Sequence, residues 1–271
     1  MEIMFPDDLK EFVNSHAEGT YTLLDVRQPG EYEESHLPGA KLIPLPELGS
    51  SLAQLDREKV IIVYCAMGGR SRTAAQFLQH RGFRSVRILE GGLDAWEEGV
   101  ASGPVEFAVK FLKGDEGTEE IVLMACRMEE GLRRFHLSIL EKADEPEFAN
   151  LVGRLVKAEE SHERTLLSML SSERAREEIL RELGGEREQG AIEGGLGLRE
   201  YLQKNDRFLK SIEGYIELAM MIEIQALDLY LHLGDLSRNA ASREVFFRIG
   251  DEEKLHLEML GAYLDSFHEK R

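Results

Sequence analysis

The sequence predicts two domains, an α/β domain with a mostly parallel sheet followed by an all-helical domain. The chain has 271 residues, which exceeds the roughly 100 to 200 residues of one ordinary domain. Up to about residue 105, short apolar runs alternate with turn signals and helical patterns, whereas from Thr118 apolar residues recur at spacings of three and four. We therefore expect domains at residues 1–104 and 118–271, joined by a linker at 105–117.

The first half contains four apolar runs that predict strands: YTLLDV, HLPGAKLIPL, KVIIVYC and SVRILEGG. A helical pattern, SRTAAQFLQHRG, precedes the last of them. Strands that alternate with helices form mostly parallel sheets. The turn residues ASGP at 101–104 end this pattern.

The second half predicts four main helices, at 118–142, 146–171, 207–234 and 240–268. Residues 172–206, between the second and third helices, contain a short charged helix and the glycine-rich segment GGEREQGAIEGGLG. That interval is too long for a tight turn. The pattern predicts a four-helix bundle with one long crossover, the connectivity of ferritin-like folds.

The composition limits the partners and the compartment. A formal charge of −18 argues against binding to nucleic acid or to an anionic membrane. The first ten residues are acidic rather than basic, and no segment offers 18 uncharged apolar residues, so we expect a cytoplasmic protein. Two cysteines, Cys65 and Cys126, are too few for a disulfide framework. We expect Cys126 to be a buried apolar thiol.

A Glu-x-x-His motif occurs three times, and the first copy predicts no metal site. Glu33 and His36 precede Leu37-Pro38-Gly39, where proline and glycine prevent a helix from holding both side chains on one face. We assign this copy to a turn.

The other two copies, Glu159-x-x-His162 and Glu253-x-x-His256, interrupt the apolar stripes of the second and fourth predicted helices. The helical period calls for leucine or valine at these positions. Buried carboxylates are costly unless they are paired or coordinated, so the stripes need a positive charge between them. A bound metal ion would supply that charge.

Glu129 and Glu223 interrupt the stripes of the first and third predicted helices in the same way. Glu159 follows Glu129 by 30 residues and Glu253 follows Glu223 by the same interval, which indicates an internal duplication of a helical hairpin. One Glu from each of two helices with Glu-x-x-His from the other two is the ligand set of dinuclear carboxylate bundles. The alternative is a plain bundle with these side chains on its surface or in metal-free polar networks.

On these residues, 118–271 resembles the rubrerythrin branch of the ferritin-like superfamily. The resemblance implies two iron ions per chain, a homodimer, and a reaction with peroxide or dioxygen that draws on an unknown electron donor. Manganese or zinc would also fit oxygen and nitrogen ligands. Ala226 stands where the family often has a further Glu, and the sequence shows no cysteine-pair rubredoxin module. These two departures weaken the expectation of peroxidase turnover but not the expectation of metal binding. The implied ligands are Glu129, Glu159, His162, Glu223, Glu253 and His256. His136 and Tyr230, seven residues after Glu129 and Glu223, are either core aromatics or groups near the iron.

Cys65 is the second centre of chemistry that the sequence indicates. It follows the apolar run Val60–Tyr64 and precedes Ala66-Met67-Gly68-Gly69-Arg70 and a helix. A thiol at the carboxyl end of a parallel strand lies where such sheets bind ligands. The helix dipole, the loop N–H groups and Arg70 stabilise a thiolate. The C-x4-R ring is one residue shorter than the C-x5-R loop of cysteine phosphatases, which favours sulfur over phosphate.

With LLDVRQPGEYEESHLPGA before this loop and ILEGGLDAWEEG after it, residues 5–100 resemble a rhodanese domain. The resemblance implies that Cys65 attacks a sulfane sulfur, holds it as a persulfide and passes it to a thiol or to cyanide. Arg70 and the N–H groups of residues 66–70 would stabilise the persulfide, while Asp25 and Arg27 brace the site. The alternative is a buried strand-end cysteine in an inactive relative.

The expected function is a sulfurtransferase fused to a di-iron peroxidase or oxidase, in sulfur or oxidative-stress metabolism. Its expected partners are a small-molecule sulfur donor, a thiol acceptor, peroxide or dioxygen, an electron donor and a second copy of the chain. One alternative is an iron-storage or iron-sensing bundle with a persulfide-carrier domain. A third interpretation makes the bundle a dimerisation scaffold only.

Overall fold

A computed structural model of the chain describes residues 2–103, 118–141, 143–185, 191–192, 196–197, 204–205 and 207–269. The linker predicted at 105–117 lies outside the described residues. The chain forms two compact units. The first comprises Met1–Ala108, Ile224–Arg238 and Phe246–Lys254, and the second comprises Val109–Glu223, Asn239–Val245 and Leu255–Arg271. One stretch of each of the last two helices therefore groups with the N-terminal residues.

The first unit contains a five-stranded sheet in which all the described strand pairs are parallel. Its strands are β1 (Glu2–Met4), β2 (Tyr21–Asp25), β3 (Lys41–Leu42), β4 (Val60–Tyr64) and β5 (Val86–Leu89). They lie in the order β1-β5-β4-β2-β3. The predicted mostly parallel sheet is confirmed. The sequence does not predict β1, because three residues carry too little periodic signal.

Three helices alternate with these strands: α1 (Pro6–Ser15), α2 (Pro29–Glu34) and α3 (Gly69–His80). The first two begin with proline, whose fixed φ suits the first turn of a helix. Proline lacks a backbone N–H, but an N–H at this position would have no intrahelical partner. Because α2 ends at Glu34, Glu33 and His36 do not share a helical face.

The central strand β4 is buried on both faces, as expected for a parallel sheet. Its side chains alternate between two apolar clusters. Ile61 and Val63 pack in one cluster, together with Cys65 just after the strand, and Ile62 and Tyr64 pack in the other. This double burial fixes the end of β4 and therefore the position of Cys65.

The rest of the described chain is mostly helical. Its helices are α4 (Thr118–Leu140), α5 (Pro146–Ser168), α6 (Glu173–Gly185), α7 (Ile212–Leu236) and α8 (Ala240–Glu269). Two short antiparallel strands, β6 (Ala191–Ile192) and β7 (Leu196–Gly197), follow α6 in the sequence. The four long helices correspond to the predicted ones within a few residues. None of the helices in the described part of the chain is long and apolar enough to cross a membrane.

The largest difference in a helix boundary is at the start of α7, which begins at Ile212 rather than at 207. Residues Phe208–Lys210 form a 3-10 turn, and Ser211 has an extended backbone. The Ser211 hydroxyl accepts a hydrogen bond from the Gly214 N–H at 3.0 Å. Serine in this position caps a helix, so Ser211 sets the boundary.

Candidate functional site

Cys65 lies directly after β4, and the loop that follows it leads into α3. Gly68 has a left-handed backbone (φ 97°), which allows the loop to turn into the helix. The Gly68 N–H donates a hydrogen bond to Cys65 Sγ at 3.1 Å. The carbonyl oxygens of Cys65 and Ala66 accept hydrogen bonds from the N–H groups of Leu93 and Asp94 at 2.8 and 3.0 Å. Hydrogen bonds therefore fix the start of the loop at the Cys65 sulfur and at the carbonyl oxygens of Cys65 and Ala66.

The loop lowers the pKa of the Cys65 thiol. Burial alone raises that pKa, because a thiolate loses hydration. Hydrogen bonds from the Ser71 backbone and hydroxyl and from the backbone of Gly68 and Arg70 outweigh burial. A thiolate is the nucleophilic form of cysteine, so the loop favours the reactive state.

Arg70 forms a two-point ion pair with Glu31 at the edge of this loop. Its two terminal nitrogens donate to the Glu31 carboxylate at 2.7 and 2.6 Å. Hydrogen bonds from Arg70 lower the pKa of Glu31 to about 2. Hydrogen bonds with Glu31 raise the pKa of Arg70, and the sulfur of Cys65 adds to this rise. The Arg70 charge therefore faces both the thiol and a carboxylate.

Asp25 and Arg27 bind each other in the core. The Asp25 carboxylate accepts from the backbone N–H of Arg27 at 2.9 Å and from its guanidinium at 2.7 to 3.0 Å. Arg27 also donates to the Ser35 carbonyl oxygen at 2.6 Å. The pair thus ties the end of β2 to the end of α2.

Met67 in the Cys65 loop is 77% exposed and presents an apolar side chain to solvent.

Comparison with known proteins identifies this part of the chain. A model of the family described as "Rhodanese-like domain" matches residues 6–99. Residues 6–99 are a rhodanese-like domain.

The rhodanese-like domain is similar to one curated plant protein over a short stretch. It is 42% identical over 78 residues to "Rhodanese-like/PpiC domain-containing protein 12, chloroplastic" of Arabidopsis thaliana. The match covers 27% of this chain, and the chain spans about a quarter (26%) of the length of that relative.

Several solved structures are matched over almost their whole length. A rhodanese-like domain protein from Staphylococcus aureus is 28% identical, with 38% of this chain and 98% of that chain covered and a TM-score of 0.35. A rhodanese-related protein from Thermoplasma volcanium is 33% identical, with 37% and 98% covered and a TM-score of 0.34.

Within the first unit, α7 contacts the His36–Ala40 turn of the rhodanese-like domain. Asp228 accepts a hydrogen bond from the Gly39 N–H at 2.7 Å, and its carboxylate lies 3.4 Å from His36 Nε2. His232, one turn further along α7, lies 3.3 Å from the same carboxylate and 3.2 Å from the Tyr32 hydroxyl. The first Glu-x-x-His copy therefore contributes its histidine to a contact with a helix.

Five of the six predicted metal ligands lie together in the second unit. Glu129 is on α4, Glu159 and His162 are on α5, Glu223 is on α7 and His256 is on α8, and all five are buried. His162 Nδ1 lies 3.2 Å from Glu129 Oε2 and 3.5 Å from Glu159 Oε2. His256 Nδ1 lies 3.4 Å from Glu223 Oε2. The His162 and His256 rings stack with their centroids 5.4 Å apart.

The sixth predicted ligand, Glu253, is fully buried on α8, one turn before His256. It belongs to the stretch of α8 that groups with the first unit. Tyr230 is also buried there and stacks on Phe246, with ring centroids 6.3 Å apart. Cys126 is buried one turn before Glu129, and burial raises the pKa of its thiol well above the usual range.

His136 lies beside two of the predicted metal ligands, Glu159 and Glu223. Its Nδ1 is 2.8 Å from the Tyr215 hydroxyl, and its Nε2 is 3.5 Å from Glu223 Oε1 and 3.7 Å from Glu159 Oε1. Potential ligand atoms of His136, Glu159 and Glu223, which are all buried, lie within 4.8 Å of one another. Carboxylate oxygens and imidazole nitrogens suit iron, manganese and zinc, so the donor set fits a divalent transition metal.

Sequence reasoning missed three groups around the two centres, Glu31, Ser71 and Tyr215, and it missed Asp228 in the contact between α7 and the His36–Ala40 turn. Glu31 and Arg70 are 39 residues apart, and Asp228 follows Gly39 by 189 residues. No local period connects such pairs. Tyr215 carries only the helical pattern of a core aromatic. Ser71 follows Arg70 directly in the loop, and its hydroxyl is the one signal that could have suggested support for the thiolate.

Proposed function

We propose that the rhodanese-like domain is a sulfurtransferase that moves sulfane sulfur through a persulfide on Cys65. The observation that carries this proposal is the hydrogen bond from the Gly68 N–H to Cys65 Sγ, in a loop that lowers the pKa of the thiol. A thiolate cradled by N–H donors is both a nucleophile and a leaving group that its surroundings stabilise.

The transfer has two displacement steps. The Cys65 thiolate attacks the outer sulfur of thiosulfate or of a small persulfide, a new S–S bond forms, and the electron pair of the broken bond leaves with sulfite or the donor thiolate. An acceptor thiolate then attacks the outer sulfur of the Cys65 persulfide, and the Cys65 thiolate is regenerated. No net oxidant is consumed. The N–H groups of residues 66–70 and the Arg70 charge stabilise the negative sulfur in both steps.

We further propose that the helical region is a ferritin-like four-helix bundle that holds two metal ions, iron by the resemblance. Glu129, Glu159, His162, Glu223, Glu253 and His256 would hold them, and bound iron would supply one-electron chemistry toward peroxide or dioxygen. Five of these side chains cluster in the second unit, and all six are at most 5% exposed. Buried carboxylates are strongly disfavoured without a cation, which supports a metal rather than an empty polar core.

Within this region, the protein's own residues orient the ligands and exclude water. The apolar neighbours Phe135, Leu155 and Ile249 are fully buried on α4, α5 and α8. A dry surrounding strengthens the interaction between carboxylates and a divalent ion. The cytoplasmic location, the homodimer and the electron donor remain parts of the proposal.

The sulfur half is tested by steady-state transfer from thiosulfate, or from a small persulfide, to a thiol. We expect the parent and Cys126→Ser to turn over at similar rates, and Cys65→Ser to lose transfer by at least about a thousandfold, as when a covalent nucleophile is removed. Retained transfer in Cys65→Ser would refute the Cys65 mechanism.

The metal half is tested by the metal content of protein expressed with iron. We expect about two irons per chain in the parent and far less in a His162→Ala, His256→Ala double variant. Equal content in both would refute the site. Many reduction cycles per site with peroxide and an added reductase would favour an oxidoreductase, and one cycle with retained ferric iron would favour storage or sensing.

A further inference from the structure

His136 occupies a position on α4 from which it faces two other helices of the second unit. It lies seven residues after Glu129, about two helical turns, and is fully buried. Its Nε2 is directed at Glu159 on α5 and at Glu223 on α7, at 3.7 and 3.5 Å. Among the described residues, this nitrogen makes no hydrogen bond.

These distances match those between two ligands of one ion better than a hydrogen bond. Hydrogen bonds between an imidazole N–H and a carboxylate are shorter, about 2.7 to 2.9 Å. Donor atoms bound to one divalent transition metal at about 2.0 to 2.2 Å lie about 3 to 3.5 Å apart. The distances from Nε2 to the two carboxylate oxygens, 3.5 and 3.7 Å, are therefore at or slightly above the spacing of two ligands of one ion.

The other ring nitrogen of His136 is held in place by Tyr215. Its Nδ1 lies 2.8 Å from the Tyr215 hydroxyl. Tyr215 is itself fixed, because Phe135 stacks on its ring at 5.6 Å and Phe148 packs against it edge-on at 5.3 Å. A metal-binding histidine characteristically uses its second nitrogen for such an orienting hydrogen bond. The ring is thus aimed at the carboxylates before any ion binds.

We propose that His136 Nε2 is a direct ligand of the ion that Glu159 and Glu223 hold. This inference rests on the proposed metal centre and makes its donor set richer in nitrogen. An added imidazole favours iron, cobalt or zinc over magnesium or calcium. With His162 and His256, the centre would have three imidazole ligands.

The test counts histidine ligands directly, in the full chain loaded with Co²⁺. In paramagnetic Co²⁺ proteins, the exchangeable N–H proton of each bound imidazole gives a strongly shifted proton resonance. We expect one such resonance fewer in His136→Ala than in the parent. Tyr215→Phe removes the orienting hydroxyl only, so it should keep the number of resonances and shift one of them. We also expect His136→Ala to weaken Co²⁺ binding at least about tenfold.

The outcomes separate this inference from the proposed centre. If the parent binds Co²⁺ and His136→Ala shows the same number of shifted resonances, His136 is not a ligand and the centre stands without it. If the parent binds no Co²⁺, both the centre and the ligand fail. Circular dichroism checks the fold of each variant, and His136→Gln, which keeps most of the volume, replaces His136→Ala if that variant does not fold.

Discussion

The Glu31 carboxylate holds the Arg70 guanidinium through two hydrogen bonds of 2.7 and 2.6 Å, at the edge of the Cys65 loop. Both side chains are 36% exposed, so the pair is accessible to solvent. Arg70 is the one cationic residue of the loop at 66–70, so its pairing with Glu31 reduces the positive charge beside Cys65.

Glu31→Gln is expected to increase the reactivity of Cys65. The amide removes the negative charge that offsets Arg70, while its oxygen can still accept the Gln28 N–H that Glu31 accepts at 3.1 Å. A freed Arg70 stabilises the thiolate, so alkylation of Cys65 at neutral pH should accelerate about two- to fivefold, the range for a partly exposed ion pair. Glu90→Gln, which releases the more exposed Arg72 pair, is the matched control. Equal rates in all three proteins would show that Glu31 does not offset Arg70.

Ser71→Ala is expected to raise the pKa of Cys65. The Ser71 hydroxyl lies 3.7 Å from Cys65 Sγ. Its removal takes away one of the hydrogen bonds that lower the pKa of the thiol. Ultraviolet absorbance of the thiolate against pH measures the change. A titration midpoint that stays at the parent's value, or falls, would contradict the assigned role of the hydroxyl.

Gly92→Ala is expected to disrupt the support beneath the Cys65 loop. Gly92 has a positive φ (65°), and a Cβ there would lie 2.2 Å from the Cys65 carbonyl oxygen and 2.3 Å from that of Ala66. The strain and the overlap should lower the free energy of unfolding by about 2 to 4 kcal/mol in urea denaturation. At Gly69, an added Cβ meets no atom within 4 Å, so Gly69→Ala should stay within about 0.5 kcal/mol of the parent. Similar losses in the two variants would refute this account.

Stability is expected to fall in alkaline solution because of His232. Burial lowers the pKa of this imidazole, but the Asp228 carboxylate outweighs burial and raises the pKa to about 9. The unfolded chain has the ordinary histidine pKa of about 6.5. The charged pair therefore contributes fully below about pH 6.5 and is lost as the pH rises through 9, a difference of at most about 3 kcal/mol.

Asp228→Asn should remove that pH dependence. Thermal unfolding between neutral and alkaline pH should show a steeper loss of stability in the parent than in Asp228→Asn. Glu217→Gln, an exposed carboxylate on the same helix, should behave like the parent. Parallel stability curves for the parent and Asp228→Asn would contradict the assigned pairing.

The sequence was sufficient where a local pattern carries the structure. Strand β4 and the Cys65 loop could be predicted because apolar side chains, a cysteine, two glycines and an arginine are contiguous there. The burial of the Glu-x-x-His copies on α5 and α8 could be predicted because these residues interrupt the apolar stripe of a helix. The first copy could be set aside because Pro38 and Gly39 follow it.

What the sequence could not provide is the pairing of distant residues. His136 was predicted only as a group near the iron, because its two carboxylate neighbours belong to other helices. The contact between Asp228 and the His36–Ala40 turn joins residues almost two hundred positions apart. The grouping of parts of α7 and α8 with the N-terminal residues likewise follows from tertiary contacts, which leave no periodic signal.

The most direct test of the central claim is the intact mass of the chain after incubation with thiosulfate or a small persulfide and removal of the donor. We predict one added sulfur atom per chain, located by peptide mapping on the segment that contains Cys65, and released by an added thiol. Cys126→Ser should gain the same sulfur, since burial raises the pKa of the Cys126 thiol and disfavours its thiolate. An unmodified parent, or an equal gain in Cys65→Ser, would contradict the proposal that Cys65 carries the sulfur.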